Sequence, residues 1–337
     1  MIYSSSNIWA EYKFGDSLKY AKQQLLFFIL GLFLLIFVSK IDYKLYYKKA
    51  NIILGVCLLF LILVLVPGLG VVRNGSRSWF SLLGFSIQPS EFAKLGLIIF
   101  ISKYLSKSSK INIKTILPVF IICMVFFGII MLQPDFGTGM ILVMSIISLF
   151  FISGLDMKYF YYLFGLGVIG ITGLIIAAPY RMDRITSFIN PWKDPLGTGF
   201  QIIQSLYAIG PGGLLGFGFL NSRQKHFYLP EPQTDFIFSI IVEEFGIIGA
   251  IFVVVNFFLI AYSGLKIALN QTDLFAKYLC FGIIFQLIFQ AILNLCVVVG
   301  LIPVTGVTLP FLSYGGSSLL ISMISIGVIL NIAKNKN

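Results

Sequence analysis

Charged residues are scarce in this 337-residue chain, where they make up only 11% of the sequence. A soluble globular protein has about 25% charged residues, because water must wet its surface. The scarcity comes from long charge-free runs, and the run between Lys277 and Lys334 contains 56 residues. About 20 mostly apolar residues in a helix cross the hydrocarbon core of a bilayer. The sequence therefore excludes a soluble domain of any size and predicts a multi-pass membrane protein.

Patterns that bind metals or nucleotides in soluble proteins are absent from the sequence as well. The 4 cysteines lie in predicted helices without CxxC or CxxxH spacing, and His226 is the one histidine. No phosphate-binding loop is present, and the glycines at 210–218 do not follow a strand. We therefore expect no nucleotide cofactor.

The charge-free runs predict an all-α bundle of about nine transmembrane helices, which form a single membrane domain over residues 1–337. We place these helices near 23–39, 51–66, 89–105, 115–132, 138–153, 159–178, 237–265, 275–299 and 317–333. The largest segment outside them is 179–236. A loop this long in a compact protein is usually functional or disordered, and its apolar content favours packing on the bundle.

Lysine and arginine set the orientation of the predicted bundle. If the helices alternate, one side carries 13 basic and 3 acidic residues, and the other carries 10 basic and 7 acidic residues. Positive charge concentrates in cytoplasmic loops, so the first side is cytoplasmic and the segments 67–88 and 179–236 lie outside. The net charge of +11 reflects this topology and attraction to anionic lipid rather than nucleic-acid binding.

Several polar side chains lie within or at the ends of the predicted helices. Charges there cost about 2.5–3.5 kcal/mol each on insertion scales, so they usually have a role. Glu91 and Lys94 lie one helical turn apart and can pair, either as a structural ion pair or as part of a substrate site. Gln286, Gln290 and Asn294 form one stripe, which helix–helix hydrogen bonding explains more simply than a substrate path. We expect one of Glu243 and Glu244 to face the bundle interior.

Asp235 is the acidic residue with the clearest alternatives. It lies in the external sequence LPEPQTDF, just before a predicted helix, where Asp235 or Thr234 can serve as the N-cap. A carboxylate at the outer mouth of a membrane cavity, near arginines, can instead act as a general base or a metal ligand. The residues alone leave both interpretations open.

Five segments together resemble the SEDS family of shape, elongation, division and sporulation proteins, in particular its division and sporulation branch. The resemblance covers essentially the whole chain in order. Its segments are NGSRSWFSLLGFSIQPSEFAKL (74–95), QPDFGTGM (133–140), INPWKDPLGTGFQIIQSLYAIGPGGLLGFG (189–218), SRQKHFYLPEPQTDFIFSIIVEEFGIIGA (222–250) and GLIPVTGVTLPFLSYGGSS (300–318).

The resemblance implies a peptidoglycan glycosyltransferase of the cytoplasmic membrane, which polymerises lipid II on the outer face. It further implies that Asp235 is catalytic, that Glu91 and Lys94 are the family's membrane pair, and that Arg77 is its first-loop arginine. The implied partners are a class B penicillin-binding protein and proteins of division or sporulation. A lipid II flippase and a scaffold that recruits a transpeptidase remain as alternatives.

The chemistry of such a reaction indicates further residues. A sugar hydroxyl attacks an anomeric carbon while a lipid pyrophosphate leaves, so a carboxylate can accept the proton of the hydroxyl. Arg77, Arg181 and Arg184, or a divalent cation such as Mg²⁺ or Mn²⁺, can balance the charge of the leaving group.

The N-terminus departs from the family pattern. The family has ten spans, and the sequence around YSSS resembles the end of the first of them. Either the start codon lies upstream of Met1, or the chain is a truncated paralogue. We expect the former, with a further helix encoded before residues 1–22.

Overall fold

A computed structural model describes residues 1–73, 75–82, 85–108, 110–176 and 179–335. Its secondary structure is mainly helical. The α-helices are α1 Ile2–Phe14, α2 Lys19–Val38, α3 Lys44–Leu63, α4 Pro89–Ser106, α5 Ile113–Leu132, α6 Phe136–Ile152, α7 Met157–Ile176, α8 Pro179–Ile189, α9 Phe200–Ile209, α10 Ile237–Leu269, α11 Leu274–Val298 and α12 Gly316–Lys334.

Helices lie at all nine predicted span positions, so the predicted all-α membrane bundle is confirmed. Six of the described helices are long and apolar enough to cross a bilayer, and their mean hydropathies range from 1.6 to 2.8. These six are α2, α3, α5, α10, α11 and α12. Of the others, α6 is apolar but has 17 residues, and α4 carries Glu91, Lys94 and Lys103. The protein is a multi-pass membrane protein.

The chain divides into two compact units. The first comprises Met1–Gln23, Asp156–Asn256 and Ala291–Tyr314, and the second comprises Gln24–Leu155, Phe257–Gln290 and Gly315–Asn337. The prediction of one membrane domain over the whole chain remains a prediction.

In the second unit, the predicted external segment 67–88 folds into a small antiparallel sheet that the sequence analysis did not predict. Its strands are β1 Gly70–Arg73, β2 Ser76–Leu82 and β3 Phe85–Ile87, in the order β1-β2-β3. Ser78 is fully buried, and its hydroxyl donates a 3.3 Å hydrogen bond to the carbonyl of Gln133. The sheet is thereby attached to the residue that follows the last turn of α5.

In the first unit, helix α10 is broken at Gly246, whose φ of 62° lies in the left-handed region. A break frees backbone groups that lipid cannot satisfy. The glycine-rich segment 213–218 satisfies them: the amide of Ile247 donates to the carbonyl of Gly213 at 2.9 Å, and the amide of Phe217 donates to the carbonyl of Glu243 at 2.9 Å. A Cβ on Gly246 would lie 2.4 Å from the Leu214 carbonyl carbon, so only glycine fits here.

Short helices make up much of the long external segment 179–236. Helices α8 and α9 are joined by a 3₁₀ turn at Pro191–Lys193, and a second 3₁₀ turn follows at Gly210–Gly212. The expectation that this segment packs on the bundle stays a prediction. Residues 1–22, expected to be polar and outside the spans, contain the short helix α1 before α2 begins.

Candidate active site

Asp235 lies two residues before the first residue of α10, and its side chain is half-buried. Its Oδ1 accepts a 2.7 Å hydrogen bond from the hydroxyl of Thr234. At the start of α10, the amide of Ser239 donates to the backbone carbonyl of Phe236. Thus Thr234 supplies the described hydrogen bond to the Asp235 carboxylate, which keeps acceptor capacity for a ligand.

Asn294 on α11 fixes the backbone of Asp235. Its Nδ2 donates to the carbonyl of Asp235 and to the carbonyl of Val307, at 2.7 Å in each case. The side chain of Asn294 is fully buried. The amide of Tyr314 donates to the carbonyl of Gln233 at 2.8 Å, which adds a second attachment two residues upstream. The carboxylate therefore projects from a backbone that is held on both sides.

Burial raises the pKa of the Asp235 carboxyl above its ordinary value. The negative charge of Glu231 raises this pKa further, whereas the hydrogen bond from Thr234 and the positive charge of Arg184 lower it. A carboxylate with a raised pKa is a stronger base than an ordinary aspartate. Asp235 thus has the surroundings of a general base.

Two predicted arginines lie in the same unit as Asp235. Arg184 is exposed on α8, and its Nη1 donates to the carbonyl of Val304 at 2.7 Å. Its charge acts on the Asp235 carboxyl. The side chain of Arg181 lies outside the described residues.

Glu91 and Lys94 form the buried ion pair that the sequence predicted. Lys94 Nζ lies 2.9 Å from Glu91 Oε1, and both side chains are buried. Lys94 also donates a 2.8 Å hydrogen bond to Oε1 of Gln290 on α11. The prediction that the Gln and Asn stripe makes hydrogen bonds between helices is thereby confirmed for Gln290.

Asp135 lies in the same unit as this ion pair. Its Oδ1 accepts from the amide of Thr138, which caps α6, and its Oδ2 accepts from Nε2 of Gln88 at 2.9 Å. Burial raises its pKa, and the charge of Glu91 adds to the increase.

Arg77, also in this unit, is half-buried on β2, and its Nη1 donates to the carbonyl of Leu65 at 3.3 Å. The ion pair, Asp135 and Arg77 belong to the second unit, whereas Asp235 and Arg184 belong to the first.

A cluster around Glu243 attaches the external segment to α10. The carboxylate of Glu243 accepts a 2.6 Å hydrogen bond from the hydroxyl of Ser222 and a 2.8 Å hydrogen bond from the amide of Arg223. It also accepts a hydrogen bond from the amide of Gln224. Both Glu243 and Glu244 are fully buried, whereas the sequence analysis expected only one of them to face the interior.

Glu244 completes this cluster. Its Oε1 accepts from the hydroxyl of Ser4 on α1 and lies 3.5 Å from Nζ of Lys225. Lys225 is itself buried and donates to the carbonyl of Leu220 at 2.6 Å. Sequence reasoning missed these attachments, because nothing in the pattern pairs residues 222–225 with a helix that begins more than ten residues later.

The described residues contain no group of three or more His, Cys, Asp or Glu side chains that could hold a metal ion. Asp235 and Glu231 are close enough for their charges to interact. A single carboxylate such as Asp235 fits a divalent cation whose remaining ligands come from substrate phosphates and water.

A family model described as cell cycle protein, for FtsW, RodA and SpoVE, matches residues 1–337. Stage V sporulation protein E of Bacillus subtilis is 50% identical over 99% of this chain and 92% of its own length. A probable peptidoglycan glycosyltransferase FtsW of Trichlorobacter lovleyi is 40% identical over 99% of this chain and 88% of its own length.

Solved structures show the same architecture. A chain of a peptidoglycan synthase complex, described for its coordination of polymerization and crosslinking, matches with a TM-score of 0.80 and 30% identity, over 94% of this chain and 90% of that chain. The rod shape-determining protein RodA of Thermus thermophilus matches with a TM-score of 0.72 and 25% identity, over 99% of this chain and 94% of that chain.

Proposed function

Because this chain belongs to the FtsW, RodA and SpoVE family of cell cycle proteins, we propose that it is a peptidoglycan glycosyltransferase that polymerises lipid II at the outer face of the cytoplasmic membrane. The relatives named as glycosyltransferases and the similarity to a peptidoglycan synthase complex support this activity. The observation that carries the assignment of the site is the half-buried carboxylate of Asp235 on a backbone fixed by Asn294.

In the proposed reaction, Asp235 accepts the proton of the attacking sugar hydroxyl. The oxygen of that hydroxyl forms a bond to the anomeric carbon of a second lipid II, and the bond from this carbon to the pyrophosphate breaks. Undecaprenyl pyrophosphate leaves with the electron pair. Such proton transfer typically contributes 10²–10⁴-fold to a rate. The driving force of the polymerisation comes from the bond between the sugar and the pyrophosphate of lipid II, so no nucleotide is required.

Positive charge near the leaving pyrophosphate lowers the barrier by stabilising the charge that develops there. Arg184 is suited to this role, since its charge already acts on Asp235. A divalent cation, held by Asp235 and the substrate phosphates, would supply further positive charge. Arg77 and Arg181 remain candidates for binding of the phosphates.

The Glu91 and Lys94 pair is proposed to have a structural role in the membrane part of the protein. Lys94 is already neutralised by Glu91 and bonded to Gln290, so the pair requires no ligand to be stable. This internal satisfaction favours a structural role for the pair over a polar transport path.

The proposed partner is a class B penicillin-binding protein that crosslinks the new glycan. The synthase complex with a similar chain combines polymerization and crosslinking, which supports a partner of this kind. The sporulation and division names of the relatives favour further contacts with division or sporulation proteins.

The decisive experiment is polymerisation of labelled lipid II by the purified protein, alone and with this partner, for the wild type and Asp235→Asn. We expect polymer from the wild type and none from Asp235→Asn, because Asn cannot accept the proton. Glu231→Gln is the matched control: Glu231 is exposed in the same segment, and its variant should keep substantial activity. Full activity of Asp235→Asn would refute the catalytic role of Asp235, and transport of lipid II without polymer would favour a flippase.

A further inference from the structure

A groove of about 600 Å³ lies on the external segment of the first unit, just upstream of Asp235 in the chain. Its lining includes Arg223, Gln224, His226 and Tyr228. Ligand sites in proteins typically have volumes of about 300–1,000 Å³ and contain a few convergent polar groups. The groove therefore has the size and the lining of a small-molecule subsite.

Arg223 gives the groove its chemistry. The central carbon of its guanidinium lies 4.8 Å from the centroid of the Phe217 ring, which holds the group by a cation–π contact. Within the described part of the chain, the guanidinium donates no hydrogen bond to a protein acceptor, and the side chain is exposed. A planar guanidinium with free N–H groups is suited to bind a phosphate or carboxylate through two parallel hydrogen bonds.

Neighbouring side chains add further hydrogen-bond donors to the groove. The imidazole of His226 is exposed and, among the described residues, makes no side-chain hydrogen bond. Tyr228, which is 55% exposed, offers a ring face and a hydroxyl to a sugar or peptide. All of these groups can donate hydrogen bonds, which matches an anionic ligand.

The floor of the groove is fixed in advance. The amides of Arg223 and Gln224 donate to the buried carboxylate of Glu243, and Lys225 is bound within the same cluster. Because the backbone is bonded to α10, little ordering of the chain is needed when a ligand binds. The sequence analysis considered Arg77, Arg181 and Arg184 as binding arginines. The structure adds Arg223, whose guanidinium lies in a groove and is free to bind an oxyanion.

We propose that this groove binds an oxyanion of the substrate, with Arg223 as its main ligand. The oxyanion is either a phosphate of the lipid pyrophosphate or a carboxylate of the peptide. This inference rests on the proposed function for the identity of the substrate, and it assigns a binding role to residues outside the catalytic carboxylate.

Steady-state kinetics with lipid II test the proposal. Arg223→Gln should raise KM about tenfold, equivalent to a loss of about 1.4 kcal/mol of binding, and leave kcat within about twofold. Arg223→Lys keeps the charge without the planar fork and should lie in between. Lys193→Gln removes an equally exposed charge of the external segment outside the groove and should leave KM unchanged. The proposal is overturned if Arg223→Gln has a wild-type KM, or if Lys193→Gln raises KM equally.

Equilibrium binding distinguishes the two sources of the oxyanion and does not depend on turnover. Undecaprenyl pyrophosphate offers phosphates without a peptide, and the soluble disaccharide-pentapeptide offers carboxylates without a pyrophosphate. Arg223→Gln should weaken binding of one of them about tenfold and thereby identify the group. If Arg223→Gln binds both ligands as tightly as the wild type does, the proposed role of the groove is wrong. If the wild type binds a ligand but never polymerises lipid II, the proposed function is wrong instead.

Discussion

Two buried clusters of charge among the described residues satisfy their carboxylates in different ways. In the second unit, Glu91 faces Lys94 from the same helix, so one negative charge meets one positive charge. In the first unit, Lys225 pairs with Glu244, whereas the carboxylate of Glu243 accepts from the hydroxyl of Ser222 and from backbone amides. The first cluster is a local balance of charge, whereas the second is an attachment between a loop and a helix.

This difference has a consequence for substitution. An ion pair within one helix can be replaced by neutral groups of similar volume with little loss, because both charges disappear together. A carboxylate that accepts amides of a loop has no such replacement, since the amides remain when it is removed. Buried charge in this membrane protein thus has two separate uses, and variants can tell them apart.

The largest effect on stability is expected for Glu243→Ala. It leaves the hydroxyl of Ser222 and the amides of Arg223 and Gln224 without their acceptor, at about 1–3 kcal/mol for each buried donor. For the three donors together, we expect the free energy of unfolding to fall by about 3–9 kcal/mol. Thermal unfolding in detergent, with proteolysis of the 217–229 region as a second measurement, checks the prediction. Protection of that region equal to wild type would show that other contacts hold the loop.

Lys94→Ala is expected to follow, with a loss of about 3–5 kcal/mol, because it leaves Glu91 buried without its partner. The same unfolding measurement applies. Should Lys94→Ala unfold like the wild type yet lose polymerase activity, the pair would be a substrate site and not a structural one.

The double variant Glu91→Gln with Lys94→Met should restore most of this stability. Both charges are absent, and the volumes of the side chains are nearly retained, so we expect stability within about 1–2 kcal/mol of the wild type. The double variant must therefore be more stable than Lys94→Ala. A double variant as unstable as the single one would mean that the ammonium, through Gln290, holds α11 by itself.

The fold was largely predictable from the sequence, because the thickness of the bilayer sets the length of a span and its hydrocarbon core excludes most charged residues. The positions of the long helices followed from the runs between charges, except for α4, which contains Glu91, Lys94 and Lys103. The break at Gly246 did not follow, since the apolar run continues through it and only the tertiary pairing with 213–218 requires it. The small sheet at 70–87 was missed for a related reason: its strands are short and their attachment to Gln133 is distant in sequence.

The candidate site was predictable in its residue types more than in its connections. The Glu91 and Lys94 pair followed from helical spacing, and Asp235 from its motif. The role of Asn294 as the residue that holds the Asp235 backbone did not follow, because a side chain that bonds two carbonyls leaves no periodic pattern. Arg223 was passed over since its importance depends on the ring of Phe217 and on the anchor at Glu243.

Asp235 provides the smallest and sharpest test of the comparison. Among the described residues its carboxylate accepts from the hydroxyl of Thr234, and no lysine or set of loop amides contacts it. Burial raises its pKa in the folded protein above the unfolded value. A group of this kind favours folding most below its unfolded pKa, and that contribution is lost as pH rises through the folded pKa. At neutral pH the ionised carboxylate therefore lowers stability, and Asp235→Asn removes this cost.

We expect Asp235→Asn to be at least as stable as the wild type near pH 7, and the difference should shrink towards about pH 4, the ordinary range of aspartate. Thermal unfolding of both proteins across this range provides the measurement, with Glu243→Gln as the matched contrast, because Gln keeps the size but brings a donor towards the amides of the loop and should lower stability at neutral pH. A wild type that is more stable than Asp235→Asn at neutral pH would show that the ionised carboxylate is satisfied in the fold, and that this residue stabilises the start of α10 instead of serving as a strained base.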